Sequence, residues 1–119
     1  MEVLLDSSFI VSCIKKKIDF ITQLEEQGFK VLIPREVLQE LKDLRLKCPT
    51  EERKAIDLAF EIIEKRDLKK ISLGKRSVDQ GLIEKGKAGY FIATLDRGIK
   101  TEINHKVIIF NAQNRIGVE

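Results

Sequence analysis

Asp6, Glu40, Asp79 and Asp96 are the residues of this chain whose type and placement suit chemistry. Asp6 directly follows the apolar run Val3 to Leu5, and Asp96 follows Tyr90 to Ala93 through Thr94 and Leu95. Apolar runs without polar alternation read as strands buried on both faces, and so as central strands of a parallel sheet. An acid at the carboxyl end of such a strand stands where open α/β sheets place their ligands. If these two strands are neighbours where the strand order reverses, their carboxylates converge. Asp79 falls in the first turn of a helix that opens at the same edge. Glu40 belongs to a helix starting near Arg35, whose buried stripe is Val37, Leu41 and Leu44. At about 100° per residue, Glu40 lies roughly 40° beyond Leu44, on the edge of that stripe. Glu36 and Asp43 point further out.

Each acid also has a structural role open to it. Asp6 and Asp96 suit helix N-caps, Asp79 favours a helix dipole, and Glu40 suits a solvated helix face. Convergence changes the balance. Carboxylates packed together raise one another's pKa unless a cation compensates. Hard oxygen ligands with open positions suit Mg²⁺ or Mn²⁺.

The elements that must position these acids alternate along the chain. Strand Val3–Leu5 leads into a helix carrying Phe9, Ile10, Cys13 and Ile14, and a second helix runs from about Ile18 to Gln27, closed by Gly28. Phe29–Ile33 is the next strand, stopped by Pro34, which suits the first turn of the helix that follows. After the break Lys47-Cys48-Pro49, Thr50 is expected to cap a long helix, with Glu51 and Glu52 in its first turn. The apolar stripe of that helix is Ala55, Ile56, Leu58, Ala59, Ile62 and Ile63. Lys69–Leu73 forms a short strand. Ser77 to Gln80 matches a capping box that opens a helix to about Lys85. The Tyr90 strand, a short helix from Arg97 to about Ile103 and strand Lys106–Phe110 complete the pattern. Asn111–Glu119 is either a tail or a short edge strand. Strands separated by helices imply a three-layer α/β/α sandwich with a central five-stranded parallel sheet.

The totals bound the rest. At 119 residues, 43% hydrophobic and 34% charged, the chain suits one globular domain over residues 1–119. No apolar run approaches the roughly 20 residues of a membrane span, and no basic region precedes Val3–Leu5 as in a signal peptide, so a cytoplasmic protein is expected. Cys13 and Cys48 lack metal-ligand spacing and have only His105 for company, which excludes a zinc ribbon and leaves free thiols in a reducing compartment. A net charge of +3 permits a polyanionic partner without requiring one.

Four motifs carry a resemblance: LLDSS (Leu4–Ser8), IPREVLQEL (Ile33–Leu41), SVDQ (Ser77–Gln80) and IATLDRGIK (Ile92–Lys100). In this order, and from Glu2 to about Phe110, the chain resembles the PIN-domain ribonucleases. The resemblance implies a quartet of acids, here Asp6, Glu40, Asp79 and Asp96, that binds Mg²⁺ or Mn²⁺ and hydrolyses single-stranded RNA. It implies Ser7 or Ser8 and Thr94 as supporting hydroxyls. The chain departs from the pattern at Gln80, where many members carry a further acid, and at Leu95, where many carry Asn. Lys75, Arg76, Arg97 and Lys100 flank the acids and are candidates to hold the phosphate backbone. The motif IPREVLQEL, the long Glu51–Glu64 helix and ATLDRGIK lie closer to the rRNA-processing branch, which acts in ribosome assembly, than to the toxin ribonucleases paired with an antitoxin. The family implies a homodimer. Two other readings remain: a non-catalytic RNA-binding module of the same fold, and a receiver-like phosphate-handling domain. Against the latter, the chain has no glycine-rich phosphate loop.

Overall fold

Val3, Leu4 and Leu5 are all withdrawn from solvent, as a strand covered on both faces requires. They form β1 (Glu2–Leu5), which lies between β2 (Lys30–Pro34) and β4 (Phe91–Ala93) and is parallel to both. The computed structural model describes residues 1–74, 76–110 and 114–119. Its sheet runs β3-β2-β1-β4-β5-β6, with β3 at Lys69–Ile71, β5 at Lys106–Phe110 and β6 at Arg115–Val118. The chain builds outward from β1 to β3, then returns to the other side of β1 to lay down β4. The order therefore reverses between β1 and β4, the two strands that lead into Asp6 and Asp96.

Alternate residues of these strands feed two cores. Val3, Leu5, Val31, Ile33 and Ala93 pack against α1 (Ser7–Lys15), α2 (Phe20–Glu26), α3 (Arg35–Arg45) and α4 (Thr50–Lys65) through side chains such as Phe9, Leu24, Leu41 and Ile56. Leu4, Leu32 and Ile92 face the other way, onto Leu82 of α5 (Val78–Lys87), Ile99 of α6 (Arg97–Lys100) and Ile103. The result is the expected three-layer sandwich. Each fully buried Leu or Ile contributes roughly 1.5–3 kcal/mol relative to exposure, so both faces hold the sheet and neither is a free platform.

Three expectations are corrected. The sheet has six strands rather than five, and it is not wholly parallel, because β6 pairs antiparallel with β5. Only Ile116 of β6 enters the core, opposite Ile109. The outer side of β6 is held by Gln23 of α2 and by Gln27, the C-cap of that helix: Gln27 Nε2 donates to the Ile116 carbonyl at 2.8 Å, and the Ile116 amide donates to Gln23 Oε1 at 2.9 Å. Such long-range partners leave no periodicity in a four-residue strand. Thr50 does not cap α4; the N-cap is Pro49, with no side-chain cap, and Thr50 is the first helical residue. Leu44 and Leu58, placed in buried stripes by their period, are 41% and 44% exposed. Each lines an open groove instead. Ser77 does cap α5, accepting from the Gln80 amide at 3.3 Å. Gly28 follows α2 at φ +91°, a left-handed conformation that suits glycine at a helix end.

Candidate active site

The site begins where β1 and β4 stop. The Asp6 amide donates to the Ala93 carbonyl at 2.9 Å, one step beyond the Leu5–Ala93 register, so Asp6 is pinned beside Thr94 by the sheet's own ladder. Asp6 caps α1: its Oδ1 accepts the Ser7 amide at 2.8 Å. Its Oδ2 accepts the Thr94 hydroxyl at 2.6 Å and, more weakly, that of Ser8 at 3.4 Å. Thr94 is fully buried, and its hydroxyl also accepts the Asp96 amide at 3.1 Å. One hydroxyl thus links the ends of two neighbouring strands.

The Ser7 hydroxyl donates to Glu40 Oε1, which brings α3 onto the start of α1 across 33 residues of sequence. Ser8 Oγ accepts the Leu95 amide at 3.3 Å, which ties the turn before Asp96 to α1. Asp96 caps α6, with its Oδ1 accepting the amides of Gly98 at 2.8 Å and Ile99 at 3.3 Å. Asp79 stands exposed in the first turn of α5, and with Gln80 and Asp96 it lines a groove of about 400 Å³.

The electrostatics follow from this placement. Burial pushes the Asp6 carboxyl above its usual value, the Thr94 and Ser7 hydrogen bonds pull it back, and the charges of Glu40 and Asp79 push it up again. Every charged group acting on Asp6 in this way is acidic. Among the described residues, no Lys or Arg forms an ion pair with Asp6, Glu40, Asp79 or Asp96. A buried carboxylate facing like charges without a basic partner is a charge deficit that a hard cation would relieve.

The donor set fits such an ion. Asp6 and Glu40 each keep carboxylate lone pairs beyond the bonds just named. Asp96 Oδ2 accepts no bond among the described residues, and nor does either oxygen of Asp79. As placed, no three acidic side chains among the described residues close on a single point. Asp79 and Asp96 are exposed, however, and side chains at the surface rotate in picoseconds to nanoseconds.

The flanking cations are less uniform. Arg97 is exposed at the start of α6, and Lys100 is half-buried at its end. Arg76 is exposed and pairs with Glu84 at 3.1 Å. Lys75 lies outside the described residues. Two features carried no sequence signal: the Ser7–Glu40 bond, and the Lys87–Glu102 pair at 3.8 Å, whose residues line the Asp79–Asp96 groove. Both depend on residues far apart in sequence. No helix among the described residues is long and apolar enough to cross a membrane.

No family model and no curated protein sequence matches the chain. Among solved structures, it is similar to the PIN-domain endonuclease Utp24, with a TM-score of 0.76 and 21% identity, covering 99% of this chain and 90% of that one. It is also similar to VapBC2 from Rickettsia felis bound to a DNA fragment from their promoter, with a TM-score of 0.59 and 15% identity over 91% of this chain and 98% of that one. At these identities the likeness speaks for the fold.

Proposed function

We propose that this chain, whose fold is that of a PIN domain, is a divalent-metal-dependent endoribonuclease. The observation that carries the reading is Asp6, buried where β1 and β4 end at the reversal of strand order, with Glu40 and Asp79 as the charges acting on it and its bonding partner Thr94 leading to Asp96. Mg²⁺ or Mn²⁺, when bound, would supply a polarised water and charge stabilisation for the departing oxygen.

The chain's own residues prepare the site. The buried Thr94 hydroxyl and the Ser7 amide hold Asp6 in one orientation, so its remaining lone pairs need no reordering when a ligand arrives. Asp96 spends Oδ1 on the start of α6 and keeps Oδ2 for a ligand, so capping and ligation coexist in one carboxylate. Asp79 completes the acidic rim. Glu40, held through Oε1 by Ser7, keeps Oε2 to ligate or to orient the attacking water. Arg97 and Lys100 are placed to meet a phosphate backbone. Within this reading, the motif pattern and the greater likeness to an endonuclease favour a processing role on structured RNA over a toxin role.

The test is cleavage of labelled single-stranded and structured RNAs with Mn²⁺, with Mg²⁺ and with chelator. Metal-dependent endonucleolytic products that Asp6→Asn and Asp96→Asn abolish support the reading. RNA binding without metal-dependent cleavage makes the protein a binding module instead. Failure to bind or cleave any RNA refutes a nuclease altogether.

A further inference from the structure

A second groove, of about 380 Å³, lies beside the acidic site on the side of α1 and α4. It starts at Ser7 and Ser8, the residues that hold Glu40 and Asp6. Its walls differ in chemistry. Val11 and Ile56 form an apolar face with Leu44, the leucine whose period places it in the core and which stands 41% exposed instead. Along the other side lies Ser12, whose hydroxyl makes no hydrogen bond among the described residues. At the far end, Lys15 pairs with Glu52 at 3.1 Å, both side chains 45% exposed.

We infer that this groove holds one nucleotide of the RNA strand beside the phosphate to be cleaved, with Lys15 as its phosphate contact. The inference rests on the ribonuclease reading above. An apolar face suits the flat side of a base, since every base has one and stacking there is tolerant of sequence. A spare hydroxyl suits the ribose or a base edge. The cation at the end suits the next phosphate. An exposed ion pair contributes little, about 0–1 kcal/mol, so a phosphate can take Glu52's place on Lys15 at small cost. Continuity with Ser7 and Ser8 sets the register: a strand seated here reaches the two hydroxyls that bond Glu40 and Asp6.

The test is initial-rate kinetics with Mn²⁺ on two substrates: a labelled single-stranded RNA, and bis(4-nitrophenyl) phosphate, a diester too short to reach the groove. Lys15→Ala is expected to raise the KM for RNA by about fivefold, the contribution of one exposed charge contact. It should leave kcat and diester hydrolysis at parent values. It should also flatten the salt dependence of RNA binding by about 0.7 in log–log slope, one phosphate's share. Ser12→Leu, which fills the groove, should raise KM in the same way. Glu52→Gln, which releases Lys15, should lower it. A purely structural ion pair predicts a lower Tm for Glu52→Gln with KM unchanged. The inference is overturned if these variants keep the parent's KM for RNA while both substrates are still cleaved. It is equally overturned if Lys15→Ala slows the diester as much as the RNA, since Lys15 then acts through the fold. If the parent hydrolyses neither substrate, the ribonuclease reading itself fails and the groove assignment falls with it.

Discussion

Asp96 caps α6 and is proposed as a metal ligand, and a pair of substitutions separates the two roles. Asp96→Asn keeps an oxygen at Oδ1, where the Gly98 and Ile99 amides are accepted at 2.8 and 3.3 Å. Asn and Asp are near-equal caps, so the cost is within about 0.5 kcal/mol, roughly 2 °C in Tm for a chain of this size. Asp96→Ala loses both bonds and loosens α6, whose Ile99 is buried in the second core. The cost is about 1–2 kcal/mol, or roughly 4–8 °C. Both variants lack the carboxylate. If Asp96 is a ligand, each forfeits several kcal/mol of charge stabilisation, and a loss of about 3 kcal/mol slows cleavage on the order of a hundredfold. Thermal melting and Mn²⁺-dependent RNA cleavage on the same preparations give both quantities. Cleavage by Asp96→Asn within threefold of the parent refutes the ligand role. A melting loss for Asp96→Asn equal to that of Asp96→Ala refutes the capping account.

Three further outcomes follow from the same geometry. Thr94→Val removes the 2.6 Å bond to a buried carboxylate and strands the Asp96 amide, at a cost of about 2 kcal/mol; Thr94→Ser, which keeps the hydroxyl, should melt near the parent. The Asp6 pKa is raised in the fold, first by burial, so its carboxyl contributes most to stability when protonated, below the unfolded value of 3.8, and that contribution is lost as pH rises through the folded pKa. Asp6→Asn removes this titration but also one acceptor of the Thr94 hydroxyl, so the checkable outcome is the trend: without metal, the Tm of the parent relative to Asp6→Asn should rise as pH falls from 7 toward 4, and Mn²⁺ should raise the Tm of the parent but not of Asp6→Asn. Gly86 is buried against Ile103, and an added Cβ would sit 2.6 Å from Ile103 Cγ2 and 3.2 Å from Ile92. Gly86→Ala should lower stability by about 1–3 kcal/mol through overpacking, while cleavage per folded molecule stays unchanged; equal or higher stability shows that the second core yields at that point.

Much of this molecule is local and was legible as such. Val3–Leu5, Ile92–Ala93 and Val107 read as strands because burial on both faces demands unbroken apolar residues, and all of them are fully buried. Asp6, Ser77 and Asp96 cap helices because a side-chain oxygen two or three bonds from Cα reaches the first free amides, a purely local effect. Gly28 ends a helix because only glycine adopts its φ freely. Periodicity alone failed at Leu44 and Leu58, which keep the core's period but stand exposed beside open grooves. It also failed at β6, whose place depends on β5 and on Gln23 and Gln27, far away in the chain.

The sequence by itself determined which acids end strands or open helices, and so which were available for chemistry. Only the tertiary structure decided which of them share one end of the sheet. Asp6 and Asp96 are 90 positions apart and converge because the strand order reverses between β1 and β4. Glu40 joins them because α3 packs across α1 and the Ser7 hydroxyl reaches it. Helical and strand periods constrain neighbours a few residues apart, whereas convergence at the sheet's edge is a property of how whole crossovers pack. That packing buries Asp6 where the charges of Glu40 and Asp79 act on it, with no ion-paired Lys or Arg among the described residues.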